Sequence, residues 1–207
     1  MNKPVILIGN GGHSTVLTEI LLQQNRTIIG FTEKEVQENR FGLSYLGTDD
    51  IITTFQTTDI ELVLCVGSVN VSSLRATIFN HFKQKGYTYA SVIHEKAIVS
   101  PYAHLGEGVQ LMAGTIIQSF TTIADNTIVN TSSSIDHNCY IGSHCHIAPG
   151  TTLSGSITVG SGTHIGAGVV IIQNVMIGSH VLIGAGSLVL KSVKDYSKVY
   201  GVPAKEV

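Results

Sequence analysis

The chain has 207 residues, of which 13% are charged, and a formal net charge of −2. That length holds one large or two small domains. The near-neutral balance, with no basic patch interleaved with aromatics, speaks against a nucleic-acid-binding protein. Cys65, Cys139 and Cys145 make no disulfide framework. No basic-then-apolar leader opens the chain and no apolar run has membrane-spanning length, so the cytoplasm is the expected compartment.

Pro4-Val5-Ile6-Leu7-Ile8 is a continuous apolar run, as in a buried parallel strand. It ends in Gly9-Asn10-Gly11-Gly12-His13, after which Val16, Leu17, Ile20 and Leu21 recur at helical spacing from a start at His13 or Ser14. Strand, glycine turn and helix together form a phosphate-cradling arrangement. A second strand, residues 27–31, leads to Glu33, about twenty positions past the turn, where such folds place a ribose contact. The spacing departs from G-x-G-x-x-G, so a tight turn without a ligand is the competing reading. Tyr45 to Asp50 reads as a strand end and a helix cap. Glu61 to Ser68 reads as a buried strand closing in the Gly67-Ser68 turn. Ser72 or Ser73 then caps a helix with Leu74, Ile78 and Phe82 on one face. Alternating strands and helices predict a small parallel α/β, Rossmann-like domain over residues 1–90.

From Ile93 to Val189, every sixth residue is Ile, Val or Leu. The position four residues later in each hexad is small or β-branched, from Ala97 to Val193. A period of six fits neither a helix nor a hairpin strand and marks a solenoid of short flat strands. Three strands make an eighteen-residue coil, so Ile123, Ile141, Val159 and Ile177 stack in one ladder. Each coil buries its apolar side only against its neighbours. The predicted β-helix covers residues 91–193, and residues 194–207 form a closing C-terminal segment. Cys139 and Cys145 both fall in the small corner position, which accounts for them by packing.

Three of the nine histidines fall within ten residues: His137, His144 and His146. None is in an inward aliphatic position, and His137 and His146 are expected on the outer surface. An imidazole titrates near neutrality and serves as a general base. His137 is flanked by Asp136 and Asn138. His144 reads as an ordinary surface histidine. His164 follows His146 by eighteen residues and so stacks in its column. The three clustered histidines are also a conceivable zinc ligand set.

The hexad run, the segment Asn130-Thr131…His137…Cys139…Ile141-Gly142…His146-Ile147…Pro149-Gly150, the closing Gly201-Val202-Pro203-Ala204-Lys205 and the Gly-x-Gly-Gly-His turn at residues 9–13 resemble the sialic acid O-acetyltransferase family. That family includes bacterial acetyltransferases acting on nucleotide-linked 4-amino sugars. The resemblance covers nearly the whole chain. It implies a left-handed β-helix that assembles as a homotrimer, with active sites between subunits and with acetyl-CoA as donor and no metal. The implied reaction is acetyl transfer to the amino group of a UDP-linked amino sugar. By the same resemblance His137 is the base, and His146 contacts the acetyl carbonyl or thioester. Gly155, Ala167 and Ala185 admit the pantetheine arm, and Pro203 and Lys205 close over the adenine and phosphate end. Gly11, Gly12, His13, Glu33, Gly67 and Ser68 meet the nucleotide and its diphosphate.

Family members carry an acid after the base histidine, and here the residue is Asn138. An amide oxygen still accepts an N–H bond but brings no charge. A neutral amine is already a nucleophile, so the expected mechanism is direct transfer without an acetyl-enzyme. The alternatives are O-acetylation of sialic acid or another free sugar, a zinc-dependent β-helix enzyme, and a non-catalytic binding protein.

Overall fold

The structure, a computed structural model, describes residues 3–68 and 70–207. The chain divides into two units. One holds the residues up to Gly67 together with Leu74–Val92, and the other holds Ser68–Ser73 and Ile93–Val207. Among the described residues no helix is long and apolar enough to cross a membrane.

The first unit is a four-stranded parallel sheet. Its strands are β1 (Val5–Ile8), β2 (Ile28–Thr32), β3 (Tyr45–Gly47) and β4 (Glu61–Leu64), in the spatial order β3-β2-β1-β4. Helix α1 (Gly12–Gln23) follows β1, and α2 (Leu74–Gln84) follows β4. All four residues of β1 are buried, as their unbroken apolar run requires. β2 lets β3 approach because Gly30 has no Cβ, which would stand 2.4 Å from the Ser44 carbonyl oxygen. Ile6, Leu62, Phe79, Phe82 and Tyr89 lie in the core on one side of the sheet.

Two readings of the helices change. α1 begins at Gly12, one turn residue earlier than expected, and Val16 faces out. The buried face of α2 is Arg75, Phe79 and Phe82, whereas Leu74 is 52% exposed and Ile78 is half-buried. The cause is Arg75, whose guanidinium turns inward and donates to the carbonyls of Leu64 and Val66 at the end of β4. A buried arginine reads as a surface residue in a hydrophobic pattern, so the buried face of α2 is rotated from the one its apolar spacing predicts.

The second unit is a left-handed β-helix of two-residue strands in three parallel sheets. Each strand pairs with the strand one coil on. In one sheet Thr122 opposes Tyr140, which opposes Thr158. In another His146 opposes His164, and in the third Ser134 opposes Thr152. Ile123, Ile141, Val159 and Ile177 are stacked and buried as the ladder predicts. In several hexads the small position does more than fill a corner. Thr121, Thr127 and Ser133 donate their hydroxyls to the carbonyls of Asp136, Gly142 and Ala148 at 2.7–2.8 Å. Cys139 and Cys145 donate their thiols in the same way to Ser154 and Gly160. Where the corner residue is Thr, Ser or Cys, a buried corner carbonyl is thereby satisfied.

The hexad period lapses after Val193, yet the sheet continues. Lys198–Tyr200 pairs in parallel with Leu182–Ile183, an offset of sixteen residues instead of eighteen. Lys205–Glu206 then folds back antiparallel onto it. The last coil is two residues short, which hides it from a strict six-residue count.

Candidate functional site

His137 stands at one edge of the prism, in the turn between the strands Ser134–Ile135 and Tyr140–Ile141. It is exposed, as expected. Its Nδ1–H donates to Asn138 Oδ1 at 2.9 Å, which leaves Nε2 as the acceptor, the tautomer a general base needs. Asn138 holds this position with φ 60°, a left-handed conformation that Asn tolerates better than most residues. Asp136 does not reach the ring. Its Oδ1 instead accepts the backbone N–H of His137 at 2.8 Å and fixes the turn. One coil on, Gly155 lies beneath the imidazole: a Cβ there would come within 2.7 Å of His137 Cε1. The glycine expected to admit the pantetheine arm is therefore first the seat of the base itself.

His146 does not share this site within the chain. It follows His137 by nine residues, half of an eighteen-residue coil, and so projects from the sheet opposite the His137 edge. It is also buried, contrary to the surface placement expected for it. Nδ1 donates to the Ser68 carbonyl at 2.9 Å and lies 3.0 Å from the Ser68 hydroxyl, while Asn130 Nδ2 donates to Nε2 at 3.3 Å. The His164 ring packs edge-on to it with centroids 5.0 Å apart. The column shared by His146 and His164 is as predicted, but Ser68 bonds to it. Burial pushes the His164 imidazole below its ordinary value. The contact of Asn130 with His146, sixteen residues away, has no local signature in the sequence.

His144 sits at a second edge with φ 61° and accepts from Asn126 Nδ2 at 2.9 Å, a turn role consistent with its reading as ordinary. His137, His144 and His146 thus leave the coil in three directions. Among the described residues no group of three His, Cys, Asp or Glu is placed to hold a metal ion. Cys139 and Cys145 are buried, and burial pushes both thiols up, Cys145 to about 12. Neither is a thiolate near neutrality.

Ala167 and Ala185 are exposed and stacked on the third edge, where Gly186 N–H donates to the Ala167 carbonyl. Near the C-terminus a cavity of about 370 Å³ is lined by Lys191, Lys194, Pro203 and Lys205 among others. Lys191 is three coils beyond His137 in the same column.

In the first unit a cavity of about 630 Å³ opens over the C-terminal ends of β1 and β4, where ligands bind in open parallel sheets. Gly11, Gly12, His13, Glu33 and Gly67 line it together with Asn10, Lys34 and Asp49. Gly9 turns the chain with φ 100°. A Cβ on Gly11 or Gly12 would meet nothing within 4 Å, so these glycines leave open space at the start of α1. Glu33 braces the turn, with Oε2 accepting the Asn10 backbone N–H at 3.1 Å and Oε1 that of Lys34 at 3.0 Å. Ser68 is not part of the lining. It belongs to the second unit, beside His146.

Residues 4–82 match the PglD N-terminal domain, and residues 120–155 and 156–191 each match the six-repeat bacterial transferase hexapeptide. PerB from Caulobacter crescentus, solved with CoA and GDP-perosamine, is 32% identical, with a TM-score of 0.91 over 99% of this chain and 97% of that one. The chain belongs to the hexapeptide-repeat acyltransferases that carry a PglD N-terminal domain. The acetyltransferase domain of PglB from Neisseria gonorrhoeae is 30% identical over 100% of both chains, with TM-scores of 0.94 alone and 0.93 with acetyl coenzyme A. WeeI from Acinetobacter baumannii, at 22% identity and a TM-score of 0.88, shares the fold of this acyltransferase.

Proposed function

We propose that the protein transfers the acetyl group of acetyl-CoA to the amino group of a nucleotide-linked amino sugar, with His137 as the base. The observation that carries this reading is the His137 edge: an exposed imidazole, held by Asn138 and seated on Gly155, with Nε2 free to accept a proton. The relatives support it, since one was solved with CoA and GDP-perosamine and another with acetyl coenzyme A. The sugar nitrogen attacks the thioester carbonyl and forms the new C–N bond. His137 Nε2 takes the proton from that nitrogen. The C–S bond breaks, CoA leaves as a thiolate, and the imidazolium returns the proton to it. Asn138 holds the ring's tautomer through the transfer.

The donor runs along the His137 edge toward the C-terminus. Gly155 is one coil from His137 and Lys191 three, about 14 Å at the ordinary spacing between strands. That reach brings an extended pantetheine arm to the cavity of Lys191, Lys194, Pro203 and Lys205, whose charges suit its phosphates. Ala167 and Ala185 serve the same arm from a neighbouring copy in a homotrimer. The cavity of Gly11, Gly12, His13, Glu33 and Gly67 takes the nucleotide, with the diphosphate at the start of α1.

CoA release measured with UDP-linked and GDP-linked amino sugars tests the reading. Turnover with one of them, cut about 10²–10⁴-fold in His137→Ala, is expected. Turnover with sialic acid and with no nucleotide sugar would instead make the protein an O-acetyltransferase. A folded protein that binds no acetyl-CoA would be a binding protein.

A further inference from the structure

The edge that carries His137 also carries two exposed aromatic rings. Tyr102 and Phe120 are 67% and 65% exposed, and their rings stack with centroids 5.6 Å apart at 29°. They occupy the turns two coils and one coil before Asn138. The backbone binds them into that column: Asn138 N–H donates to the Ser119 carbonyl at 3.1 Å, and Phe120 N–H to the Tyr102 carbonyl at 3.2 Å. Phe120 is held at φ 62°, a conformation costly for a bulky side chain and one that Asn fills at the same place in the next coil. A strained, solvent-facing aromatic stacked on a second one contributes little to the fold of its own chain.

We infer that Phe120 and Tyr102 form the platform on which the acceptor sugar ring lies, next to the base. This rests on the acetyl-transfer reading above. On that reading the donor runs from His137 toward Lys191, so the acceptor must approach the thioester from the other direction along the edge. Phe120 is the next turn that way, about 5 Å from the coil of His137 at the ordinary strand spacing. The C–H face of a sugar ring packs on the face of an aromatic ring, and a sugar seated on Phe120 presents its amine within reach of Nε2. Ser119, next to Phe120 in the chain, and Ser100 pair their hydroxyls 3.0 Å apart, a pair that can bond a sugar hydroxyl. A second stacked pair, His180 and Tyr196, with centroids 5.2 Å apart, lies on the edge of His144 and provides an internal control.

Phe120→Asn removes the ring at a position whose backbone Asn adopts readily, and Tyr196→Asn does the same at the control edge. The measurements are KM for each substrate, calorimetric binding of the nucleotide amino sugar to His137→Ala protein, melting temperature and oligomer mass. Phe120→Asn should raise KM for the sugar and weaken its binding about tenfold, the scale of one lost ring contact. It should leave KM for acetyl-CoA within about twofold and the melting temperature unchanged or higher, and Tyr196→Asn should change none of these. An unchanged sugar KM and affinity overturns the inference, as does a fall in oligomer mass, which would make the pair a subunit contact. If the wild type binds the sugar without turning it over, the acetyl-transfer reading fails, while weaker binding by Phe120→Asn still upholds the platform. A sugar that does not bind the wild type at all overturns both.

Discussion

Gly155 lies directly beneath the His137 imidazole, so close that a methyl group on it would stand 2.7 Å from Cε1 and 2.8 Å from Nε2. Its φ is not left-handed, so alanine fits the backbone there and only the ring must move. Gly155→Ala is therefore expected to fold normally and to lose about 10²-fold in kcat, the scale of an ångström of misplacement. Its melting temperature and kcat are the paired readout, and unchanged turnover would show that the ring does not depend on its seat.

The orientation of the base is the second dependence. Asn138 contributes one hydrogen bond and one left-handed turn. Asn138→Gly keeps the turn, for which glycine is well suited, and removes only the acceptor. We expect kcat to fall roughly tenfold, on the scale of one hydrogen bond, with both KM values little changed. A loss confined to KM would place Asn138 in substrate binding instead.

Much of this was legible before any coordinates. A six-residue aliphatic period is a purely local signal, and it dictated the β-helix, the stacked columns and the outward placement of His137. What stayed hidden was whatever depends on segments far apart in the chain. His146 contacts Ser68, 78 residues away, which no local pattern around the histidines shows. The inward turn of Arg75 depends on carbonyls of β4 that no helical pattern reveals. The seat at Gly155 was legible as a column but not as a contact, because a glycine in such a column fits a ligand and a ring equally well.

The nucleotide cavity gives a prediction free of stability effects. A Cβ at Gly12 meets no heavy atom within 4 Å outside its neighbours and its own helix, so a small side chain there is felt chiefly by a ligand in the cavity. Gly12→Val should leave the melting temperature within a degree or two and weaken nucleotide-sugar binding at least tenfold, as expected where a backbone must approach a diphosphate. Calorimetric titration decides it, and unaltered affinity would move the nucleotide elsewhere.

Cys139 follows the base closely in sequence, yet its thiol points into the corner and donates to Ser154. Burial keeps it protonated. Cys139→Ala should retain turnover within about twofold and cost on the order of 1 kcal/mol of stability for the lost sulfur packing. Mass spectrometry of the wild type mixed with acetyl-CoA should find no acetylated thiol. An acetyl adduct on Cys139 would replace direct transfer with a two-step route.

The buried His164 makes the fold sensitive to acid. His164 is buried with Nδ1 unbonded, and burial holds its imidazole below the unfolded value near 6.5. Between the folded and unfolded values the unfolded chain binds more protons, so this group adds stability above about pH 6.5 and loses it as the pH falls through that window. The melting temperature should therefore drop as the pH falls below about 6.5. His164→Leu continues the column with the residue already present at position 182, removes one titrating group and should flatten that slope. Parallel slopes for the two proteins would mean that His164 takes up its proton as readily folded as unfolded, and the acid sensitivity would then have to come from other groups.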